Sequence, residues 1–446
     1  VSTPGLPDRA GNRAFAGTTA DQPAVATSPA AVGEAAPFVV MVKPVGPACN
    51  LACGYCYYRQ TSEMYEGGHV LPMSDATLER FVRQFIEASP GPEVHFVWHG
   101  GEPTLAGLPF FQRAMALQRR YLPTGWRCWN NLQTNGTLLD DEWCAFLAAE
   151  GFEVGLSVDG PALLHDAQRP DHQGRGSAAR AAAGLRRLLA HGVEPDLLCT
   201  VTAATAAQPL AVYRALREMG STFLQFLPIV RPAGDGLSAE SVGALEYGKF
   251  LCAVFDEWIR RDVGQIVVQF FAETYRAWAG QQPTLCALAE SCGSVLVVEH
   301  DGAVYACDHF VRDSHRLGTI DTAHLGALAM SPEQLRFGQQ KRDSLPGQCR
   351  ACPWLFACGG GCPKDRLATT DTGEPGLNVL CDGLRAFYEH ADPLLRRMVE
   401  LGPHPSAIKE ELRAEEQQRW RGVGRNDPCP CGSGRKAKRC CWPSRP

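Results

Sequence analysis

Cys49, Cys53 and Cys56 fall in the run CNLACGYCYY, with three residues and then two between them. Three thiolates so spaced can hold three irons of a [4Fe–4S] cube and leave the fourth without a protein ligand. The amine and carboxylate of S-adenosylmethionine (SAM) can chelate such an open iron. An electron passed from the reduced cluster into the sulfonium then breaks its C5′–S bond. The product is a 5′-deoxyadenosyl radical, able to take hydrogen from unactivated carbon. A zinc site or a redox pair is the alternative reading of these three residues.

Eight further cysteines, Cys286, Cys292, Cys307, Cys349, Cys352, Cys358, Cys362 and Cys381, suit two more cubes with four ligands each, or two zinc sites in a ribbon. Near the end, Cys429, Cys431, Cys440 and Cys441 flank a glycine-rich turn. Four thiolates with no open position fit one structural zinc. Of the 19 cysteines this leaves Cys128, Cys144, Cys199 and Cys252, which stand singly in apolar surroundings and read as small buried hydrophobes.

The elements that must position these groups alternate. Strand patterns occur at 38–43, 94–99, 128–134, 152–159, 196–201 and 223–228. Helical patterns occupy 75–88, 109–121, 140–149, 178–191 and 207–219, the first with Ser74 as a cap. Six strand–helix repeats imply an α/β fold, a partial (β/α)6 barrel with its chemistry at the C-terminal strand ends. The first cysteine loop follows the first strand, and His99-Gly100-Gly101-Glu102-Pro103 ends the second. The expected divisions are a disordered tail (1–37), the barrel (38–235), a helical connector (236–285), the cysteine-rich auxiliary-cluster domain (286–385), a helical linker (386–420) and a zinc knuckle (421–446).

From Phe38 to Pro228 the chain resembles the radical SAM core domain. That resemblance implies that Tyr55 packs at the adenine, Gly101 lies along the methionine, Ser157 and Arg169 bind ribose and carboxylate, and Leu224 walls the nucleoside. The segment 286–381 resembles the twitch-and-SPASM extension of peptide-modifying members. There the ligands interleave, which gives Cys286, Cys292, Cys307 and Cys362 to one auxiliary cluster and Cys349, Cys352, Cys358 and Cys381 to the other. Spacing alone pairs neighbours. GGEPTLAGLPFF, LQTNGTLLD, GLSVDGP and VYACDHFV followed by RLGTI are similar to the anaerobic sulfatase-maturating enzymes, which oxidise a sulfatase Cys or Ser to formylglycine. Asp308 is then the base, and Tyr58 and His99 touch substrate. His99 is a departure, since some members carry glutamine there. A carboxylate beside a cluster ligand would take a proton next to where the electron goes. Capping a turn or pairing with Arg312 is the alternative for Asp308. The last segment resembles the SEC-C zinc motif.

The implied cofactors are three [4Fe–4S] clusters, SAM and a zinc. The implied partners are an unfolded sulfatase polypeptide and an electron donor such as flavodoxin or ferredoxin. A net charge of −5 gives no reason to expect nucleic acid. No apolar run approaches the ~20 residues that span a bilayer, and no secretory signal is read, so a cytoplasmic protein is expected. Two other functions compete: a radical SAM maturase that crosslinks a ribosomal peptide, and a metal-binding adaptor without catalysis. The intact cysteine triad and strand-end residues weigh against the adaptor.

Overall fold

Six parallel strands lie side by side in chain order: β1 (Val39–Val42), β2 (Glu93–Trp98), β3 (Arg127–Thr134), β4 (Glu153–Ser157), β5 (Asp196–Val201) and β6 (Phe223–Pro228). The computed structural model describes residues 38–65, 72–234, 236–402, 406–429 and 435–439. The expected tail of residues 1–37 lies outside the described residues, as do Cys431, Cys440 and Cys441.

Alternation along each strand sends one set of side chains outward and the other inward. Val40, Val42, Phe96, Trp98, Leu132, Val154, Leu156, Leu197, Cys199, Leu224 and Phe226 are buried in two apolar cores under the helices. Those helices are α1 (Asp75–Ala88), α2 (Leu108–Tyr121), α3 (Asp141–Ala149), α4 (Ala162–Gln168), α5 (Ala178–Ala190) and α6 (Pro209–Glu218). The Ser74 hydroxyl accepts the Thr77 amide at 3.1 Å, and Asp140 accepts that of Trp143 at 2.9 Å, so local chemistry starts α1 and α3 where the sequence places them. The residues between, such as Val97, Gln133, Ser157, Leu198 and Gln225, are only partly covered and face the barrel interior.

The sheet does not end with the barrel. After α7 (Ala244–Arg261), β7 (Val267–Val268) pairs parallel with β6 and leads into α8 (Gln269–Trp278). At the opposite edge β8 (Val295–Val298) pairs parallel with β1, residue for residue from Val39–Val295 to Val42–Val298. β9 (Ala303–Tyr305) and β10 (Arg316–Thr319) continue it antiparallel. The order is β10-β9-β8-β1-β2-β3-β4-β5-β6-β7. The connector expected to be helical thus contributes an edge strand, and the cysteine-rich segment shares the barrel's sheet. Since β1 and β6 each have another neighbour, the barrel stays open.

Three longer helices follow among shorter turns: α9 (Pro332–Asp343), α10 (Cys381–Glu400) and α11 (Ser406–Arg419). The last two, expected as a linker, belong to the interior. Phe387, Tyr388, Ala391, Leu395 and Met398 of α10 and Ile408 of α11 join the core around α7. The charged composition of 407–421 hides a single apolar contact row. Among the described residues no helix is long and apolar enough to cross a membrane. Because Ile408 is 1% exposed, Ile408→Ala should cost about 2–5 kcal/mol. Chemical denaturation should show this as a lowered midpoint, whereas a free linker would leave the midpoint unchanged.

Candidate active site and cluster ligands

The loop after β1 carries Cys49, Cys53 and Cys56 and is laced down on both sides. Gly101 donates its amide to Gly46 O (2.8 Å) and Glu102 to Ala48 O (2.9 Å). A side chain on Gly101 would stand 2.1 Å from the Ala48 carbonyl, so only glycine permits this approach. On the other flank Ala52 donates to Pro170 O (2.7 Å) and Gly54 to Gln168 O (3.0 Å). Glu102 is spent internally: its carboxylate accepts Thr104 Oγ1 (2.6 Å), Thr134 Oγ1 (2.8 Å) and the Asn135 amide (2.7 Å). Burial pushes the free Cys49 thiol up to about 12 and that of Cys53 up to about 11. Such thiols give up their protons to a metal rather than to water.

Beside the loop stands a buried network that the sequence reading only half saw. Asp159 accepts Tyr55 OH at 2.7 Å, both Arg169 Nε (2.7 Å) and Nη2 (3.0 Å), and the Thr200 amide at 2.9 Å. Arg169 also lies over the Tyr55 ring, 5.4 Å from its centroid. Burial alone would raise the Asp159 carboxyl, but Arg169 outweighs it and holds the group below the usual range. Tyr55 and Arg169, expected at a nucleoside, are thus set by Asp159, a residue inside the quoted GLSVDGP motif. Ser157 faces inward and accepts Gln133 Nε2 at 3.1 Å.

Leu224 requires a correction. It is wholly buried on the helix side of β6, in the core with Val212 and Phe250. A period of two assigns the inward positions to Gln225 and Leu227, and Leu227, near the C-terminal end, is 38% exposed.

A second polar centre forms where β1 meets the cysteine-rich segment. Lys43, fully buried, follows β1 directly; its ammonium pairs with Asp308 and lies 3.2 Å from His99 Nδ1 and 4.6 Å from the Tyr58 ring centroid. Asp308 also accepts the Tyr57 hydroxyl. It therefore pairs with Lys43 rather than with Arg312. Burial would raise the Asp308 carboxyl, yet the Lys43 ammonium beside it holds the group well below the usual range. Burial lowers His99 to about 4, so its ring is neutral. Its Nδ1 accepts the Gly100 amide at 2.7 Å, which leaves the Nε2 position to carry the proton and act as a donor. Tyr58, expected to touch substrate, is instead 3% exposed and donates to Glu299. Tyr57 is the open one, at 40%. Nothing in the sequence singles out Lys43: a lysine at a strand end is ordinary until its partner is known.

The auxiliary cysteines separate into two sets by the charges they feel. Cys307 feels Cys362 and Cys286, and Cys292 feels Cys286. Cys381 feels Cys358, Cys349 and Cys352. Lys341, 1% exposed, donates to the carbonyls of Cys286 (2.7 Å) and Ala287 (3.0 Å) and lies near the first set. Among the described residues no three donors meet as closely as a single ion requires. A four-iron cube holds its thiolates farther apart than one zinc does, and all-thiolate sets of this kind fit it. At the knuckle Cys429 is buried, and its amide donates to Arg435 O at 2.8 Å across the turn.

Removing Asp159 would strand Arg169 in the interior without a counter-charge. Asp159→Ala should therefore cost about 3–5 kcal/mol, read by chemical denaturation. A loss below 1 kcal/mol would mean the pair is solvated.

Three family models match: the Radical SAM superfamily over residues 44–205, an iron–sulfur cluster-binding domain (SPASM) over 286–353 and the SEC-C motif over 425–443. A serine-type anaerobic sulfatase-maturating enzyme of Bacteroides thetaiotaomicron is 41% identical over 377 residues, 81% of this chain and 91% of that one. A cysteine-type enzyme of Clostridium perfringens is 33% identical, covering 80% and 97%. The solved structure of native anSMEcpe with bound AdoMet and Cp18Cys peptide aligns with a TM-score of 0.75 at 32% identity, over 82% of this chain and 99% of that one. Streptococcus suis SuiB bound to its precursor peptide SuiA, at 14% identity and a TM-score of 0.55, shares the fold alone. The strand-end cysteine loop, the shared sheet and these relatives agree, and the chain belongs to the anaerobic sulfatase-maturating enzymes of the radical SAM superfamily.

Proposed function

We propose that this enzyme oxidises a Cys or Ser side chain of an unfolded sulfatase segment to formylglycine, with Asp308 as the base. The observation that carries this reading is the position of Asp308. It follows Cys307 directly, is held ionised by buried Lys43, and accepts from Tyr57, a tyrosine that is partly exposed. SAM on the cluster of Cys49, Cys53 and Cys56 supplies, when bound, the radical that removes a hydrogen atom from the substrate Cβ. The chain's own residues do the rest. Gly101, Ser157 and the Tyr55–Asp159–Arg169 network line the SAM side. His99 offers its Nε2 proton to the substrate. Asp308 takes the S–H or O–H proton while the remaining electron would pass to the cluster beside it, and the Tyr57 hydroxyl must yield its place to that donor. A serine then stands as formylglycine, whereas the thioaldehyde left by a cysteine takes up water and releases hydrogen sulfide. Cys286, Cys292, Cys307 and Cys362 hold one cluster beside this proton acceptor, and Cys349, Cys352, Cys358 and Cys381 hold the other.

A zinc held by Cys429, Cys431, Cys440 and Cys441, action in the cytoplasm before substrate export, and a flavodoxin or ferredoxin as electron donor complete the proposal.

Reconstituted anaerobically, the chain should carry about twelve irons, and joint replacement of Cys49, Cys53 and Cys56 by Ala should remove about four of them. The triple variant should form no 5′-deoxyadenosine; continued formation would remove the first cluster from the reading.

The decisive test is Asp308→Asn with peptides carrying Cys-x-Pro-x-Arg or Ser-x-Pro-x-Arg. The amide keeps the shape but cannot take a proton, so formylglycine should fall ~10²–10⁴-fold while 5′-deoxyadenosine persists. Mass spectrometry of the peptide and chromatography of the nucleoside read the two halves separately. Undiminished formylglycine would dismiss Asp308 as the base. No formylglycine from the unaltered enzyme with either peptide would favour crosslinking of a ribosomal peptide instead.

A further inference from the structure

Three buried tyrosine hydroxyls find carboxylates: Tyr55 donates to Asp159, Tyr58 to Glu299 and Tyr213 to Asp262. Tyr388 of α10 does not. It is 1% exposed, and its hydroxyl has no hydrogen-bond partner among the described residues. A buried donor left without an acceptor is rare enough in a native interior to require a reason.

The reason lies in what surrounds it. Tyr388 lines a cavity of about 270 Å³ whose wall also includes Cys349, Cys352, Cys358, Cys381 and Trp354. The ring is fixed by packing. Its centroid lies 5.6 Å from that of Phe387, 5.8 Å from that of Trp278 and 6.3 Å from that of Trp354. With the ring fixed, the hydroxyl cannot swing to another acceptor. The groups whose charge reaches it include Cys358 and Cys352, two of the four cysteines in the cavity wall. The cavity wall thus carries four thiol ligands together with a tyrosine whose ring is held in place and whose O–H donor is unsatisfied.

We propose that the Tyr388 hydroxyl donates a hydrogen bond to a sulfur of the cluster bound by Cys349, Cys352, Cys358 and Cys381, and so raises that cluster's reduction potential. The inference rests on the cluster assignment proposed above. Hydrogen bonds to cluster sulfurs stabilise the more negative, reduced state, and they are among the main levers by which a protein sets these potentials. The consequence is directional. When substrate oxidation delivers one electron to the cluster beside Asp308, that cluster can be reoxidised by one electron while the Tyr388 cluster is reduced by one. A raised potential at the second favours the transfer and draws charge away from the proton acceptor.

The test is a redox titration of the anaerobically reconstituted full chain, followed by electron paramagnetic resonance. The signal altered by Cys381→Ser identifies the cluster in question. Tyr388→Phe keeps the ring and its packing and removes only the donor. The potential of that one cluster should fall by about tenfold in equilibrium constant, ~59 mV for one electron, with the other two unchanged. Placing 3-fluorotyrosine at position 388 makes a stronger donor of nearly the same shape and should move the same potential upward. This second protein decides the matter if Tyr388→Phe fails to take up its iron. Three clusters at unaltered potentials, or a shift confined to a different cluster, would overturn the inference while leaving the cluster assignment intact. An unaltered chain that holds fewer than three clusters would remove the assignment itself, and the inference with it.

Discussion

Val39 through Val42 pair in parallel register with Val295 through Val298, and this ladder makes one sheet of the barrel and the cysteine-rich segment. Lys43 leaves the end of β1 at the level where β8 ends, and the turn through β9 then returns Cys307 and Asp308 to the same place. A slip of one residue in this ladder would turn Lys43 outward and leave Asp308 unpaired in the interior. The four apolar residues on each side, three of them valine, give the ladder its stability, since both faces of the sheet are covered here. Register and burial are one constraint at this point.

That constraint explains why charged groups survive so deep in the protein. Lys43 and Asp159 are fully buried, and Arg169 and Asp308 nearly so. Removing such charges from water is costly, and each is retained only beside an opposite charge and further hydrogen-bond partners. Asp159 is satisfied by Arg169, Tyr55 and Thr200; Asp308 is satisfied by Lys43 and Tyr57. The two networks differ in their outlook. Asp159 has every oxygen engaged by groups that stay in place, and it works as a scaffold. Asp308 has one partner, Tyr57, on the open side. Only the second carboxylate can exchange an internal donor for an external one.

Much of this was legible in the sequence because it is local. The six strands and five of the six flanking helices follow from alternation, period and caps, and they stand within a residue or two of where those signals place them; the short α4 gives no such signal. The cysteine loop and the glycine that lets it approach β2 are readable from type and spacing. What the sequence hides is set by partners distant in the chain. Lys43 acquires its role from a residue 265 positions away. Leu224 and Leu227 differ only in which face of β6 they occupy, and that face is fixed by pairing with Leu197 on β5 rather than by anything in the run FLQFLP. Ile408 lies in so polar a helix that its burial is visible only once α7 is beside it.

The auxiliary cysteines show how a short run of backbone can overrule spacing. Cys358 and Cys362 are separated by three glycines, close enough that proximity in sequence would give them to one metal. Gly359, Gly360 and Gly361 all adopt positive φ, at 55°, 73° and 69°. Three such residues in succession turn the chain sharply, and no residue with a side chain would follow this course without strain. Contact reinforces the conformation: a Cβ on Gly359 would stand 2.3 Å from the Leu288 carbonyl, in the turn that Lys341 holds in place. Gly359 thus lets the turn approach the carbonyls of Leu288 and Ala289, while Gly360 and Gly361 pack against Leu345, Arg366 and Asn378. Cys362 emerges on the side of Cys286 and Cys307, and Cys358 stays with Cys349 and Cys352. The interleaved ligand order proposed above accords with this backbone conformation and does not need the cysteines themselves to discriminate between two sites.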